Sequence, residues 1–303
     1  MVVGPTPGGA AVPIADVDLE PVFAAADVTG FLHAVDLETG REIGRRHDEP
    51  VVMASVFKVA VLLELFRQGE QGRLDLTEPV LVPVEGRSAG PFGISVMRDP
   101  LLMSLRDLAW LMMGISDNAA TDVICDAVGI DAVNETLTRL GCKETVLIGA
   151  CRDIFATMYE DLGGDVDLDA VDLTDPATVD KLRAIDPLQT SRSTPRDITA
   201  LLAKIWTDQA DTPTVCEAVR RILGLQVWPH RLAAGFPADD VRTSGKTGTL
   251  PRWRNEAGVV EYADGGRYAV AVFTRSESTS AKNPAADAAI GSAARLAVEA
   301  LRG

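Results

Sequence analysis

Hydrophobic periodicity divides the chain into strand-like ends and a helix-like middle. Between Val28 and His47, "VTGFLHAVDLETGREIGRRH" predicts two strands around a Glu38-Thr39-Gly40 turn. Residues 51–66, "VVMASVFKVAVLLELF", are almost unbroken in their apolar character, with Lys58 in the middle. An apolar run of this length predicts a buried helix, from about Ser55 to Gly69. Residues 77–103, rich in Pro and Gly, predict loop with short elements. "SLRDLAWLMMGIS" sets Leu105, Leu108, Leu111 and Met112 at helical spacing behind Ser104, a candidate N-cap. "NAATDVICDAVG" and "IDAVNETLTRLG" each predict an amphipathic helix ended by Gly. In residues 152–190 the acidic, Gly-punctuated "YEDLGGDVDLDAVDLTDPATVD" predicts a long surface loop with a short helix. "STPRDITALLAKIW" predicts a helix capped by Ser193 or Thr194, with Pro195 in its first turn. After Val241 the period returns to two. "VRTSGKTGT", "RNEAGVVEYA" and "RYAVAVFTR" predict three antiparallel strands, and "AADAAIGSAARLAVEAL" a closing helix.

Strands at both ends with helices between predict an α+β fold, one antiparallel sheet flanked by helices and built from both termini. The expected division is a flexible leader over 1–20, an α/β sandwich lobe from 21–50 and 225–303, and an inserted all-helical lobe over 51–224. A cleft between the lobes is the expected ligand site.

Composition narrows the partners. The chain has 303 residues, 47% of them apolar, mean hydropathy +0.11 and a formal charge of −15. Nucleic acid and anionic membrane both call for a basic footprint, so neither is an expected partner. The acidity is read as solubility. No run of 18 apolar residues predicts a membrane span. The first residues lack a basic n-region, so a cytoplasmic location is expected, or a secreted one if the chain is a trimmed mature form. Cys125, Cys142, Cys151 and Cys216 form no CxxC pair and are expected to be free thiols. His33, His47 and His230 are expected on the surface or in loops. No metal and no cofactor is expected.

Ser55 and Lys58 stand at i and i+3, on one helix face. A serine hydroxyl is a weak nucleophile until a base takes its proton. A lysine can be that base when burial lowers its pKa. The chain has six lysines, so a chance S-x-x-K is expected roughly 0.2 times. Ser116-Asp117-Asn118 and Lys246-Thr247-Gly248 follow, about 60 and about 130 residues further on. Alone, the first reads as a helix cap and the second as part of a hairpin. In the order SxxK, SDN, KTG they form a constellation.

With these three motifs the chain resembles the class A β-lactamase and penicillin-binding-protein superfamily of active-site serine hydrolases, from about Phe31 to the C-terminus. "SLRDLAWLMMGISDNAATD", "PHRLAAGFPADD", "RNEAGVV" and "YAVAVFTR" extend the likeness. The resemblance implies the same two-lobed fold and a covalent acyl-enzyme mechanism on a small-molecule amide or ester. It implies Ser55 as nucleophile, Lys58 as its activating partner and Ser116 as proton relay to the leaving nitrogen. Asn118 would bind the substrate amide and steady Lys58. Lys246 would supply positive charge, Thr247 and Thr249 hydroxyl contacts to a substrate carboxylate, and Gly248 room against the strand. The N–H groups of Ser55 and Thr249 would form an oxyanion hole. Arg231 matches a carboxylate-binding arginine of some members, the alternative being a surface arginine.

Departures from the family qualify this picture. The E-x-x-L-N string whose Glu activates the deacylating water is not found. The corresponding region begins near "TVLIGACRDIF", and Glu160 is the nearest candidate, with an ordinary loop acid as the alternative. Leu62 stands where a disulfide cysteine of the family would be. Three readings follow: a β-lactam hydrolase with an unusual base, an esterase or amidase of the same fold on another substrate, or a β-lactam-binding protein or sensor that stays acylated. A cell-wall transpeptidase is disfavoured, because its substrate lies outside the membrane.

Overall fold

A computed structural model describes residues 17–164 and 171–303 of the chain. A short helix, α1 (Glu20–Ala25), precedes strands β1 (Val28–Asp36) and β2 (Glu42–Arg45), which pair antiparallel across the predicted turn. A two-residue strand, β3 (Val51–Val52), leads through a 3-10 turn over Ala54–Phe57 into helix α2 (Lys58–Glu70). The hairpin β4 (Pro79–Val82) and β5 (Leu101–Ser104) supplies the short elements expected there. Helix α3 (Leu105–Gly114) begins at Ser104, whose hydroxyl accepts the Asp107 N–H as the pattern predicts. Then come α4 (Asn118–Val128), α5 (Ile130–Arg139) and α6 (Cys151–Asp161). A single turn, α7 (Pro176–Val179), precedes β6 (Arg192–Ser193), which pairs with β3. Helices α8 (Pro195–Trp206) and α9 (Pro213–Leu223) complete the helical lobe. The chain ends in β7 (Val241–Leu250), β8 (Trp253–Tyr262), β9 (Arg267–Ser276) and α10 (Pro284–Arg302).

The principal sheet is antiparallel with order β2-β1-β9-β8-β7, so the first and last thirds of the chain build one sheet. One face packs with the helical lobe into a large core centred on α2. Val61, Leu62, Leu63 and Leu65 are fully buried there, each contributing about 1.5–3 kcal/mol relative to exposure. Glu64, the second charge in this helix, is equally buried and is satisfied by Gln68 Nε2 (2.8 Å), Thr136 Oγ1 (2.7 Å) and Arg67. The other sheet face packs on α1 and α10 through Phe23, Ile290, Ala294 and Leu301. Here α10 approaches closely: a Cβ on Gly291 would stand 2.4 Å from the Arg231 carbonyl oxygen.

Several expectations are corrected. The end of the expected leader, at Leu19 and Glu20, is instead ordered structure, because Leu19 is buried against the second core and α1 begins at Glu20; residues 1–16 lie outside the described residues. The acidic segment is not loop throughout: through Asp161 it is helix α6, held by buried Ile154 and Met158. Its stretch 165–170 lies outside the described residues. Helix α9, in a span without an assigned element, is capped by Thr212. All four cysteines are free and buried.

His33 is also corrected. It lies on β1, only 3% exposed, with Nδ1 2.5 Å from Thr199 Oγ1 and Nε2 2.6 Å from Glu42 Oε2. β1 is an inner strand covered by helices on both faces, so even its polar positions are buried. Burial lowers the His33 pKa from 6.5 to about 4, outweighing the hydrogen bond to Glu42. Between these values the unfolded chain binds a proton that the folded chain refuses, so stability falls as pH falls through this window. Urea denaturation is expected to show a loss on the order of 2–3 kcal/mol from this group between pH 6.5 and 4, and a shallower pH slope in His33→Asn.

Candidate active site

Ser55 sits in the 3-10 turn before α2, directly after Ala54, whose φ of 45° is left-handed. The strain of such a residue, about 1–3 kcal/mol, is held by the packing around it. Asn255 Nδ2 donates to the Val52 carbonyl (2.8 Å), and Met53 N–H donates to Ser191 O (3.2 Å). Gly248 of β7 lies so close that a Cβ there would stand 2.7 Å from Met53 O, the close approach expected of this glycine. Lys58 has no exposed surface. Its ammonium donates to Ser116 O (2.9 Å), Ser116 Oγ (3.2 Å) and Asn118 Oδ1 (3.0 Å). Those three acceptors match the three hydrogens of an ammonium. Among the described residues Ser55 Oγ makes no hydrogen bond; it faces the cleft.

The Ser116-Asp117-Asn118 string serves both readings given to it. Asp117 caps α4, accepting the N–H groups of Ala120 (3.0 Å) and Ile94 (2.5 Å). The residues on either side turn to the site. Ser116 has φ of 63°, a second left-handed residue, which points its carbonyl and hydroxyl at Lys58. Lys246, fully buried on β7, reaches the same hydroxyl (3.0 Å) and the Thr247 carbonyl (2.8 Å). Burial, and then repulsion by Lys58, hold the Lys246 ammonium well below the ordinary lysine range. Two amines thus share one serine oxygen.

Arg231 is 4% exposed, so the surface-arginine alternative is corrected. Its guanidinium donates to Asp287 Oδ1 (2.6 Å), Gly248 O, Asn255 O and Thr249 Oγ1 (2.9 Å each). Four of its roughly five N–H donors are therefore committed. It orients the Thr249 hydroxyl and leaves one Nη2 hydrogen for a ligand. Ser55, Ser116, Asn118, Thr247 and Thr249 open on a cleft of about 420 Å³, walled by Phe92 and Trp228, whose rings are 5.1 Å apart.

A second, smaller cavity of about 60 Å³ lies on the other side of Ser55, lined by Asn118 and by Cys151, Ile154 and Phe155 of α6. Glu160 is corrected as the candidate base. It lies nine residues after Cys151, half a helical turn around. There it is exposed and ion-paired with Arg183 (2.8 Å), and it lines neither cavity at Ser55. The inward position is held by Cys151, whose thiol lies 3.4 Å from Asn118 Oδ1. Burial raises the Cys151 pKa, so the thiol stays protonated. The inward face of α6 was legible as an apolar i, i+3, i+4, i+7 series, Cys151-Ile154-Phe155-Met158. Phe92, Trp228 and Glu256 carry no such local signal.

Comparison with known proteins agrees with this fold. The sequence model of the Beta-lactamase enzyme family matches residues 15–301. The β-lactamase regulatory protein BlaB of Streptomyces cacaoi is 28% identical over 301 residues, 94% of this chain and 96% of that protein. The crystal structure of a β-lactamase from Sphaerobacter thermophilus superposes with a TM-score of 0.75 at 24% identity, covering 93% of this chain and 96% of the other. A point mutant of PBP-A, solved as an acyl-enzyme complex with penicillin G, also superposes with a TM-score of 0.75, at 20% identity and 94% coverage of each chain.

The buried amine pair predicts a cost in stability. Lys246→Met is expected to raise stability by about 1–2 kcal/mol near neutral pH, because it removes a buried cation repelled by Lys58. The unfolded chain binds the Lys246 proton up to 10.5 while the folded chain loses it earlier, so the gap should close as pH rises toward 10.5. Urea denaturation of both proteins across that range checks both statements.

Proposed function

The chain belongs to the β-lactamase enzyme family, and from that membership we propose that Ser55 opens a β-lactam ring and retains the acyl group, with slow release. The observation that carries this reading is the lining of the small cavity beside Ser55, where, among the described residues, Cys151, Ile154 and Phe155 stand and no carboxylate does. Ser55 Oγ attacks the lactam carbonyl carbon and the C–N bond breaks. The Ser55 proton enters the Lys58–Ser116–Lys246 chain, where burial and a neighbouring charge press a proton off Lys246. The Ser116 hydroxyl gives a proton to the departing nitrogen and regains one from a flanking amine. N–H groups of Ser55 and Thr249 receive the developing oxyanion. Asn118 meets the substrate amide, while Lys246, Thr247 and Thr249 meet the substrate carboxylate.

Deacylation is the weak half-reaction. Water attacking the ester needs a base within about 2.6–3.2 Å, directly or through another water. The neutral thiol of Cys151 donates a proton and accepts none readily. Two similarities support this reading. The relative from Streptomyces cacaoi is called a regulatory protein, and the point mutant of PBP-A holds penicillin G as an acyl-enzyme.

A chromogenic cephalosporin tests the proposal. Rapid mixing should give a burst of about one equivalent per chain, then a rate at least ~100-fold slower. Ser55→Ala should give no burst. Cys151→Glu, which places a carboxylate in the small cavity, should raise the slow rate at least ~10-fold. Fast, linear release of many equivalents by the parent protein would contradict slow deacylation.

A further inference from the structure

A buried carboxylate outside the three motifs organises one wall of the cleft. Glu256 lies on β8, the Cα partner of Thr247 on β7, and is 2% exposed. One of its oxygens accepts Gln226 Nε2–H (2.7 Å), and the other accepts Leu232 N–H (2.6 Å). Gln226 Oε1 accepts Thr247 N–H (2.7 Å). The seven residues from Gln226 to Leu232 are therefore tied at both ends by one side chain. That segment carries Trp228, His230 and Arg231, three residues of the cleft wall.

Counting hydrogens fixes how the Gln226 amide is turned. Gln226 must turn its oxygen to Thr247 N–H, so it turns its amide hydrogens to Glu256. Glu256 then accepts one N–H on each oxygen. Burial raises the Glu256 pKa, and the two N–H bonds, with the charges of Arg231 and Lys246, act against that rise. In its ionised form Glu256 also opposes, at Lys246, the proton loss that burial and Lys58 favour.

We infer that Glu256 is a positioning residue for Ser55 acylation: it clamps the 226–232 segment to β7 and β8 and so sets Arg231 and the Thr247–Thr249 edge that receive the substrate. The functional half of this inference rests on the acylation reading above; the clamp itself does not.

The test compares the full-length parent, Glu256→Gln, and the double variant Gln226→Glu/Glu256→Gln. In the single variant, one N–H must meet another whichever way the two amides turn. In the double variant, the carboxylate at position 226 accepts from Thr247 N–H and from the new amide at 256, whose oxygen accepts from Leu232 N–H. Every hydrogen bond returns with the charge moved by one side chain. Amide hydrogen exchange over residues 225–233 should be at least ~10-fold faster in the single variant and within ~3-fold of the parent in the double. The second-order rate constant for the penicillin G adduct on Ser55 should follow the same order, down at least ~10-fold and then restored to within ~3-fold. If the single variant does not fold, the double variant decides, because its hydrogen bonds are complete. A single variant that exchanges and acylates like the parent overturns the inference. So does a folded double variant that exchanges as fast as the single, or that keeps parental exchange without regaining acylation. A parent that forms no adduct refutes the acylation reading instead, and hydrogen exchange alone then decides whether Glu256 clamps the segment.

Discussion

Two amines removed from water meet on one hydroxyl oxygen, and most of the structure is arranged to hold them there. Lys58 and Lys246 are both fully buried and both donate to Ser116 Oγ. A buried cation is costly unless hydrogen bonds and opposite charge offset its desolvation. Lys58 obtains three oxygen acceptors from the turn that begins α4. Lys246 obtains the Ser116 hydroxyl, its neighbour's carbonyl and the field of Glu256. Bringing these groups together takes an apolar helix from one lobe, a strand from the other, and two non-glycine residues, Ala54 and Ser116, with positive φ. Local strain of this kind persists only where surrounding contacts over-determine it.

How far the chain could be read from its letters depended on the range of the interaction. Period-two strands, the apolar helix from Lys58 and the caps at Ser104 and Thr194 are local patterns, and each appears in the fold. The three motifs were legible because each is a short local string, and their order along the chain matches the β-lactamase family. Asp117 shows why a short string can support two readings, since one residue caps the helix while its neighbours face the site. What escaped was set by tertiary packing. His33 lies in an inner strand whose two covered faces erase the alternation that marks a half-exposed strand. The start of α6 was hidden by acidic composition, although its apolar face is regular. Glu256 and Gln226 are ordinary letters, 30 residues apart, until β7, β8 and the segment before β7 bring them together.

On the acylation reading proposed above, the site divides unequally between the two half-reactions. Nucleophile, proton chain and cationic strand converge within hydrogen-bonding distance of one another, or on one cleft. On the deacylating side, α6 presents a neutral thiol and two apolar side chains, while its last acids, Glu160 and Asp161, are both paired with Arg183. A site so built favours forming the covalent bond over breaking it. The same helix rotation that buries Ile154 and Met158 in the core turns Glu160 away from Ser55, so packing and chemistry are decided by one face.

Intact-protein mass, followed over time after mixing with one equivalent of penicillin G, tests the central claim most directly. A single adduct of the mass of the whole drug, on the parent and not on Ser55→Ala, that decays over many minutes is the predicted result. No adduct, or one that vanishes within the mixing time as hydrolysed drug accumulates, would contradict the account.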